Sequence, residues 1–481
     1  MSDGAAVAVR NSRSIVDDIL ARGDVVYGIN TGFGHLANVR IAPSDLVALQ
    51  HNLLRSHAVG VGVPFDIATT RGIVLLRANV LAAGHSGVRL RVLQQLIDLL
   101  NHGVHPVIPC QGSVGASGDL APLAHLALVL VGEGFVHGPD GEPEAAALAL
   151  ERVGMEPIGL KAKEGLALIN GTQAMTALGS LVVQRARRLA RVADVIGATT
   201  VEAKLGSHTP FDARLHALRP HPGQVDSAAN FRRLLQGGDL ANSHTECDKV
   251  QDAYSLRCMP QVHGAARACI EHAADVLARE LCAVTDNPTV FSDGDLLSGG
   301  NFHGQPVAMA LDYLAMGISE LGSISERRIE QLVNPRLSEL PAFLIEDSGL
   351  HSGFMMAQVT AAALASENKG LCHPASTDSI PTSANQEDHV SMGPIAARKA
   401  LAVLQNVESI LGIELLVACQ GLDFRTPLVP AHGPRAAWEA VRERVAPLTE
   451  DRYLAADLAT ASDLVRDGLL AAVEDVVGQL A

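Results

Sequence analysis

Val307, Leu311, Leu314, Ile318 and Leu321 step by four and by three, which places one apolar stripe along a helix. Leu401, Leu404, Val407, Leu411 and Leu415 repeat the pattern in a second long segment. Both stretches are rich in small residues, and such stripes pack helix against helix, so a bundle of long helices is expected. The same spacing predicts helices over residues 73–102, 120–131 and 172–204. Between 284 and 304 the turn formers Asp286-Asn287-Pro288 and Ser292-Asp293-Gly294 predict a short irregular or β segment. Residues 1–210 read as a loop-rich N-terminal region, 211–435 as the central long-helix bundle, and 436–481 as a peripheral, more charged helical region. No internal repeat or low-complexity tract interrupts this pattern. The fold class is mainly α.

Composition agrees with helices. Hydrophobic residues make up 48% of the 481 positions but aromatics only 3%, so the core is built from Ala, Leu, Val and Ile. Sheets favour aromatic and β-branched residues instead. The net charge of −15, with no basic tail or patch, argues against nucleic acid and anionic membranes as partners. No apolar run is expected to reach the roughly 20 residues of a membrane span, and the N-terminus lacks the basic and apolar regions of a secretory signal. The cysteines, Cys110, Cys247, Cys258, Cys269, Cys282, Cys372 and Cys419, are odd in number and scattered. They read as reduced thiols of a cytoplasmic protein. His102 and His105 stand alone without an HExxH or Cys/His cluster, so no metal site is expected.

The most informative chemistry lies in Gly112-Ser113-Val114-Gly115-Ala116-Ser117-Gly118-Asp119-Leu120-Ala121-Pro122-Leu123. Ala116-Ser117-Gly118 can cyclise on its own backbone. The Gly118 nitrogen attacks the Ala116 carbonyl carbon, an approach that glycine permits because no Cβ obstructs it. Loss of two waters, one carrying the Ser117 hydroxyl, then leaves a methylidene-imidazolone, an electrophile that no unmodified side chain provides. Asp119 is expected to cap the helix beginning at Leu120, with Pro122 tolerated in its first turn. A helix N-terminus beside the ring favours negative charge on it. The bare tripeptide is common, however, and by itself reads equally as a Gly/Ser loop. It is not the GxSxG elbow of a serine hydrolase.

Other segments carry candidate groups. Val26-Tyr27-Gly28-Ile29-Asn30-Thr31-Gly32-Phe33-Gly34 is a Gly-rich loop with a tyrosine, without the ending of a P-loop or the spacing of a dinucleotide fingerprint. Gln251-Asp252-Ala253-Tyr254-Ser255-Leu256-Arg257-Cys258 offers an arginine fork suited to a carboxylate, although most such arginines are solvated surface charges. Asn170 lies in Gly165-Leu166-Ala167-Leu168-Ile169-Asn170-Gly171-Thr172-Gln173, and Phe302 in Gly299-Gly300-Asn301-Phe302-His303-Gly304. Either could simply be a packed loop residue. His57, in Asn52-Leu53-Leu54-Arg55-Ser56-His57-Ala58-Val59-Gly60, offers a hydrogen-bond partner to a polar ring. Glu387, in Pro381-Thr382-Ser383-Ala384-Asn385-Gln386-Glu387-Asp388-His389-Val390-Ser391-Met392, can accept from an imidazole N–H.

Taken together, these segments resemble the aromatic amino-acid ammonia-lyase family over most of the chain. The resemblance implies a nearly all-helical fold of the fumarase/aspartase-like type and a homotetramer whose sites draw on several subunits. It implies a 4-methylidene-imidazol-5-one formed autocatalytically from Ala116, Ser117 and Gly118, with no added cofactor. By the same resemblance the loop at Tyr27 is an active-site lid and Tyr27 the base, a role for which a phenol needs a lowered pKa. Arg257 holds the substrate carboxylate, Tyr254 and Gln251 line the site, Asn170 contacts the prosthetic group and substrate, and Phe302 walls the pocket. His57 and Glu387 resemble the branch that acts on histidine, since phenylalanine-type members carry apolar residues at the first position. The implied reaction converts L-histidine to trans-urocanate and ammonia. The substrate amine adds to the carbon derived from Ser117, Tyr27 or Glu387 takes a β-proton, and His57 and Glu387 orient the imidazole.

The alternatives are a tyrosine lyase or 2,3-aminomutase using His57 on a phenol, a lyase for a modified histidine, and a non-catalytic homologue. One departure from the family stands out. Only 26 residues precede Tyr27, so a shortened leading segment is expected.

Overall fold

The computed structural model describes residues 1–244 and 250–481; Cys247 falls outside the described residues. Helices dominate, as the periodicity predicts, and among the described residues the strands form three two-stranded antiparallel pairs. The chain divides into two compact units, one of residues 1–181, 275–312 and 374–398, the other of 182–274, 313–373 and 399–481.

The predicted long helices are present as Gln173–Ala203, Gln305–Val333 and Gly393–Asp423. All five stripe residues from Val307 to Leu321 are fully buried, as are Leu404, Val407, Leu411 and Leu415, while Leu401 is half-buried. Two of these helices, Gln305–Val333 and Gly393–Asp423, are long and apolar enough to cross a membrane, against the expectation that no such run exists. Their apolar windows are 67% and 72% buried within the protein, which is how core helices come to pass that test.

In the first unit the core gathers Leu53, Leu54, Ile73, Leu81, Leu93, Leu96, Leu123, Leu126 and Leu168. The single helix expected over 73–102 is two helices, Ile67–Ala82 and Leu90–Asn101. The first starts at Asp66, whose carboxylate accepts from Thr69 N at 2.7 Å. Two glycines impose the break. Gly84 (φ 78°) lies where a Cβ would meet Ala8 at 2.5 Å, and Gly87 (φ 68°) where one would meet Val16 at 2.5 Å. The intervening loop pairs with the irregular segment, His85 O accepting from Val290 N at 2.9 Å. That segment carries the short pair Thr289–Val290 and Leu296–Leu297, as expected.

The second unit buries charge as well as apolar surface. Arg328 and Glu414 are fully buried and doubly bonded, and Glu414 also accepts from Thr200 at 2.7 Å and Ser325 at 2.5 Å. Asp194 accepts from Ser227, Asn230 and Arg267, and pairs with His263 at 2.7 Å. The C-terminal stretch forms the helices His432–Arg442, Ala455–Arg466 and Leu469–Val477.

Candidate active site

Ala116 and Ser117 occupy the corner of a tight turn in which Gly115 and Gly118 pair across the backbone. Gly118 has φ 76°, and a Cβ there would stand 2.1 Å from Gly171 O. No residue but glycine fits. Gly171 clamps both ends of the corner, its N–H donating to Ser117 O at 3.3 Å and its carbonyl accepting from Asp119 N at 2.7 Å. Ser113 Oγ donates to Gly118 O at 3.0 Å, and Ser391 Oγ donates to Gly115 O at 3.2 Å. Ala116 packs in a small cluster with Val390 and Met392. A bent backbone, an obligatory glycine at the attacking nitrogen and a half-buried Ser117 fit the methylidene-imidazolone that this tripeptide can form.

Asp119 does not cap its own helix. The helix Leu120–Leu130 starts there without a side-chain cap. Instead Asp119 Oδ2 accepts from Ala174 N at 2.7 Å and Met175 N at 3.0 Å, and so caps Gln173–Ala203. Asp119 Oδ1 is buried without a partner. Desolvation pushes the carboxyl up to about 7, against the two N–H donors that favour its charge, with Glu280 adding a like-charge push.

The corner opens into a cavity of about 870 Å³ walled by residues of the first unit. Tyr27, His57, Ala116, Ser117, Asn170, Phe302 and Glu387 all line it, and Gly118 lines an adjoining depression with His57 and Glu387. Seven residues chosen from six distant segments therefore meet at one site.

Each is held by its own local structure. The Tyr27 loop is pinned by Asn30, which donates to Asp24 O at 2.8 Å and accepts from Val26 N at 2.9 Å, and by Gly32 N donating to Val39 O at 2.9 Å. Burial raises the Tyr27 phenol above its ordinary value; the backbone at Gly34 pulls it down and Glu387 pushes it up again. That direction opposes a base in the chain alone. His57 ends the helix Leu46–His57, and burial lowers its pKa, partly offset by the Leu53 carbonyl and by Glu387. Ser56 Oγ lies 3.1 Å from Leu53 O and 3.0 Å from His57 Nδ1.

Glu387 is presented by a turn in which Ser383, Ala384 and Asn385 all adopt positive φ, an uncommon run for non-glycine residues. Glu387 Oε2 accepts from Thr382 Oγ1 at 2.6 Å, and Oε1 lies 3.5 Å from Ser117 Oγ. Asn170 donates through Nδ2 to Asn287 O at 3.1 Å and to Asp286 Oδ1 at 3.5 Å, while its backbone carbonyl accepts from Arg77 at 2.7 Å. Behind it, the fully buried pair Lys163–Asp286 closes at 3.0 Å. Desolvation lowers the Lys163 pKa even so. Burial likewise lowers the fully buried Arg77 to about 10.

Gln251, Tyr254 and Arg257 belong to the second unit and are not among the residues walling this cavity. They form a group of their own, Arg257 donating to Gln251 Oε1 with its guanidinium 5.1 Å from the Tyr254 ring centroid. Tyr254 is 72% exposed.

Sequence reasoning missed Thr382, the Lys163–Asp286 pair and the true partner of Asp119. It also missed the stacked His303 and His389 rings, 5.7 Å apart, which line the same cavity. No local pattern marks them, because a charged residue in a sequence reads as surface until its burying partners are known. Among the described residues, no three His, Cys, Asp or Glu side chains are grouped to hold a metal ion.

Comparison with known proteins gives a consistent result. The family model described as aromatic amino acid lyase matches residues 1–443. A histidine ammonia-lyase of Sorangium cellulosum (strain So ce56) is 59% identical over 480 residues, covering 98% of this chain and 93% of that protein. One from Anaeromyxobacter dehalogenans (strain 2CP-C) is 58% identical, covering 98% and 94%. Among solved structures, histidine ammonia-lyase from Trypanosoma cruzi superposes with a TM-score of 0.91 at 48% identity, covering 98% of this chain and 90% of that one. Tyrosine aminomutase from Streptomyces globisporus gives 0.94 at 42% identity, covering 100% and 95%.

Proposed function

Because the chain belongs to the aromatic amino acid lyase family, we propose that it eliminates ammonia from L-histidine to give trans-urocanate. The observation that carries this reading is the placement of His57 and Glu387 on the same cavity wall as Ser117, with Glu387 Oε1 3.5 Å from Ser117 Oγ. A polar ring finds partners there that a benzene ring would leave unpaired.

The methylidene-imidazolone from Ala116, Ser117 and Gly118 supplies an electrophilic carbon that turns the substrate nitrogen into a leaving group. The chain's own residues do the rest. Gly171, Ser113 and Ser391 hold the corner bent. His57 and Glu387 orient the imidazole, Asn170 borders the reacting end and Phe302 closes the wall. Tyr27 takes the β-proton; burial raises its pKa, so its use as a base needs positive charge nearby in the assembled, substrate-bound site. Glu387, beside the same carbon, is the other candidate for that proton. Arg257 holds the carboxylate, with Tyr254 and Gln251 beside it, contributed in a homotetramer by neighbouring subunits. The exposure of Tyr254 and its cation–π contact with Arg257 support that use. A cytoplasmic location fits the free cysteines.

The test is product formation followed in the near ultraviolet, with L-histidine, L-tyrosine and L-phenylalanine offered separately to the purified protein. Urocanate from histidine alone supports the reading. Coumarate, or β-tyrosine by amino-acid analysis, would instead assign His57 to a phenol, the reading favoured by the likeness to tyrosine aminomutase.

A further inference from the structure

The polar end of the cavity shows an asymmetry of donors and acceptors. Ser56 Oγ is within hydrogen-bond distance of Leu53 O (3.1 Å) and of His57 Nδ1 (3.0 Å). A serine hydroxyl has one proton. The Ser56 hydroxyl donates to Leu53 O, which can only accept, and with the proton so placed the contact with His57 is made by a proton on Nδ1. With Nδ1 protonated and the ring neutral, Nε2 is a lone pair. Burial lowers the pKa of this histidine, which keeps the second proton off at neutral pH.

Glu387 is also an acceptor. Its Oε2 already takes the Thr382 proton, whereas Oε1 meets only the Ser117 hydroxyl at 3.5 Å. That hydroxyl departs when the tripeptide cyclises. The other ionisable groups lining the cavity are Tyr27, Asp388, His303 and His389; among the described residues no lysine or arginine lines it. Within one chain a cationic ring therefore meets Glu387 and Asp388, and the cation that the proposed assembly adds, Arg257, is engaged by the substrate carboxylate.

We propose that Ser56 fixes His57 as a hydrogen-bond acceptor, so that His57 Nε2 and Glu387 together select a ring with two N–H donors, the imidazolium form of the substrate side chain. A neutral imidazole turns its lone pair toward one of these acceptors, and a phenol has one donor for two of them. Each leaves a half-buried acceptor unpaired. Ser56 is a positioning residue, acting through His57. The inference rests on the histidine reading above and adds to it the ionic form of the ring and the group that enforces it.

The experiment uses two non-reacting ligands, 3-(imidazol-4-yl)propionate and 3-(1,2,4-triazol-3-yl)propionate. The rings have similar shapes, but the triazole is far less basic and stays neutral near pH 7. Dissociation constants are measured by calorimetry on the assembled protein and on its S56A and S56T variants. The wild type is expected to bind the imidazole ligand about tenfold more tightly than the triazole. In S56A the His57 ring is free to exchange tautomers, and the preference should shrink toward parity. S56T, which keeps the hydroxyl, should retain it. Equal affinities in the wild type overturn the proposal, as does a preference that survives unchanged in S56A. Ser56 is exposed, so S56A should fold, and its melting temperature checks this. If the wild type binds neither azole but does bind 3-(4-hydroxyphenyl)propionate, the histidine reading itself has failed, and the inference with it.

Discussion

Glu387 Oε1 stands 3.5 Å from Ser117 Oγ, although 270 residues separate them in the chain. On the proposed reading the carbon bearing that hydroxyl becomes the electrophile. A carboxylate beside it is placed to meet both the substrate ring and the proton that must leave. Ser117→Ala removes the electrophile at its source. The variant should fold, keep the mass of its 116–118 peptide unreduced, and lose turnover, whereas the wild-type peptide should be lighter by two waters. Near-normal activity in the variant would remove Ser117 from the chemistry.

The two candidates for the base are separable. Tyr27→Phe should lower kcat by roughly 10²- to 10⁴-fold, the usual contribution of a general base, with the near-ultraviolet absorbance of the prosthetic group intact. Glu387→Gln, on the same assignment, should chiefly raise KM for histidine. If instead Glu387→Gln carries the larger loss in kcat and Tyr27→Phe turns over well, the roles are reversed.

Asp119 makes a prediction about stability and pH. Its carboxyl has a folded-state pKa of about 7 against an ordinary 3.8, so the folded protein binds the extra proton between those values. Stability is then lost as pH rises from about 4 to about 7, by an amount on the order of a few kcal/mol. Asp119→Asn keeps the shape and an acceptor for Ala174 N and Met175 N but cannot ionise. Between pH 5 and pH 8 the wild-type melting temperature should fall more than that of the variant. Glu280, whose pKa burial also raises, is present in both proteins but is coupled to Asp119 by like charge, so the difference between the two curves reports Asp119 together with that coupling. Parallel melting curves would mean that Asp119 is already ionised at low pH.

The pair Lys163–Asp286, both fully buried, should show the energetics of an interior ion pair. Asp286→Ala leaves an uncompensated charge and should cost about 3–5 kcal/mol in denaturant unfolding. Replacing both partners with apolar residues should recover most of that loss. Because Asp286 also receives Asn170 Nδ2 at 3.5 Å, the double variant should still bind substrate more weakly than the wild type. A double variant as unstable as the single one would contradict this account.

The long helices were legible because their partners are other helices of the same kind. A stripe such as Val307–Leu311–Leu314 needs only an apolar neighbour, and any such neighbour will serve. The break within 73–102 was harder to see. Gly84 and Gly87 mark it, but two glycines six residues before Leu90 and three before it also occur inside helices, and only the close approach of Ala8 and Val16 makes them obligatory. Asp119 was misread for a related reason: its sequence position beside Leu120 suggests a local cap, while its true partners lie at Ala174 and Met175. Tyr27, His57, Ser117, Asn170, Phe302 and Glu387, which line one cavity, stood out in the sequence through short motifs that resemble a family's, while Gln251, Tyr254 and Arg257, singled out in the same way, lie in the other unit. Lys163 and Asp286 have no such motif, and nothing local says that a lysine will be buried.

The grip of Gly171 and Ser391 on the corner at Ala116–Gly118 has a consequence for the life of the chain. These clamps come from segments made long after residue 118, the last of them only when synthesis has passed residue 391. On the proposed reading, a nascent or damaged chain therefore carries a harmless peptide where the finished protein carries a reactive one. Activation waits for folding, and a cell that makes this protein is spared stray electrophiles from every copy that fails.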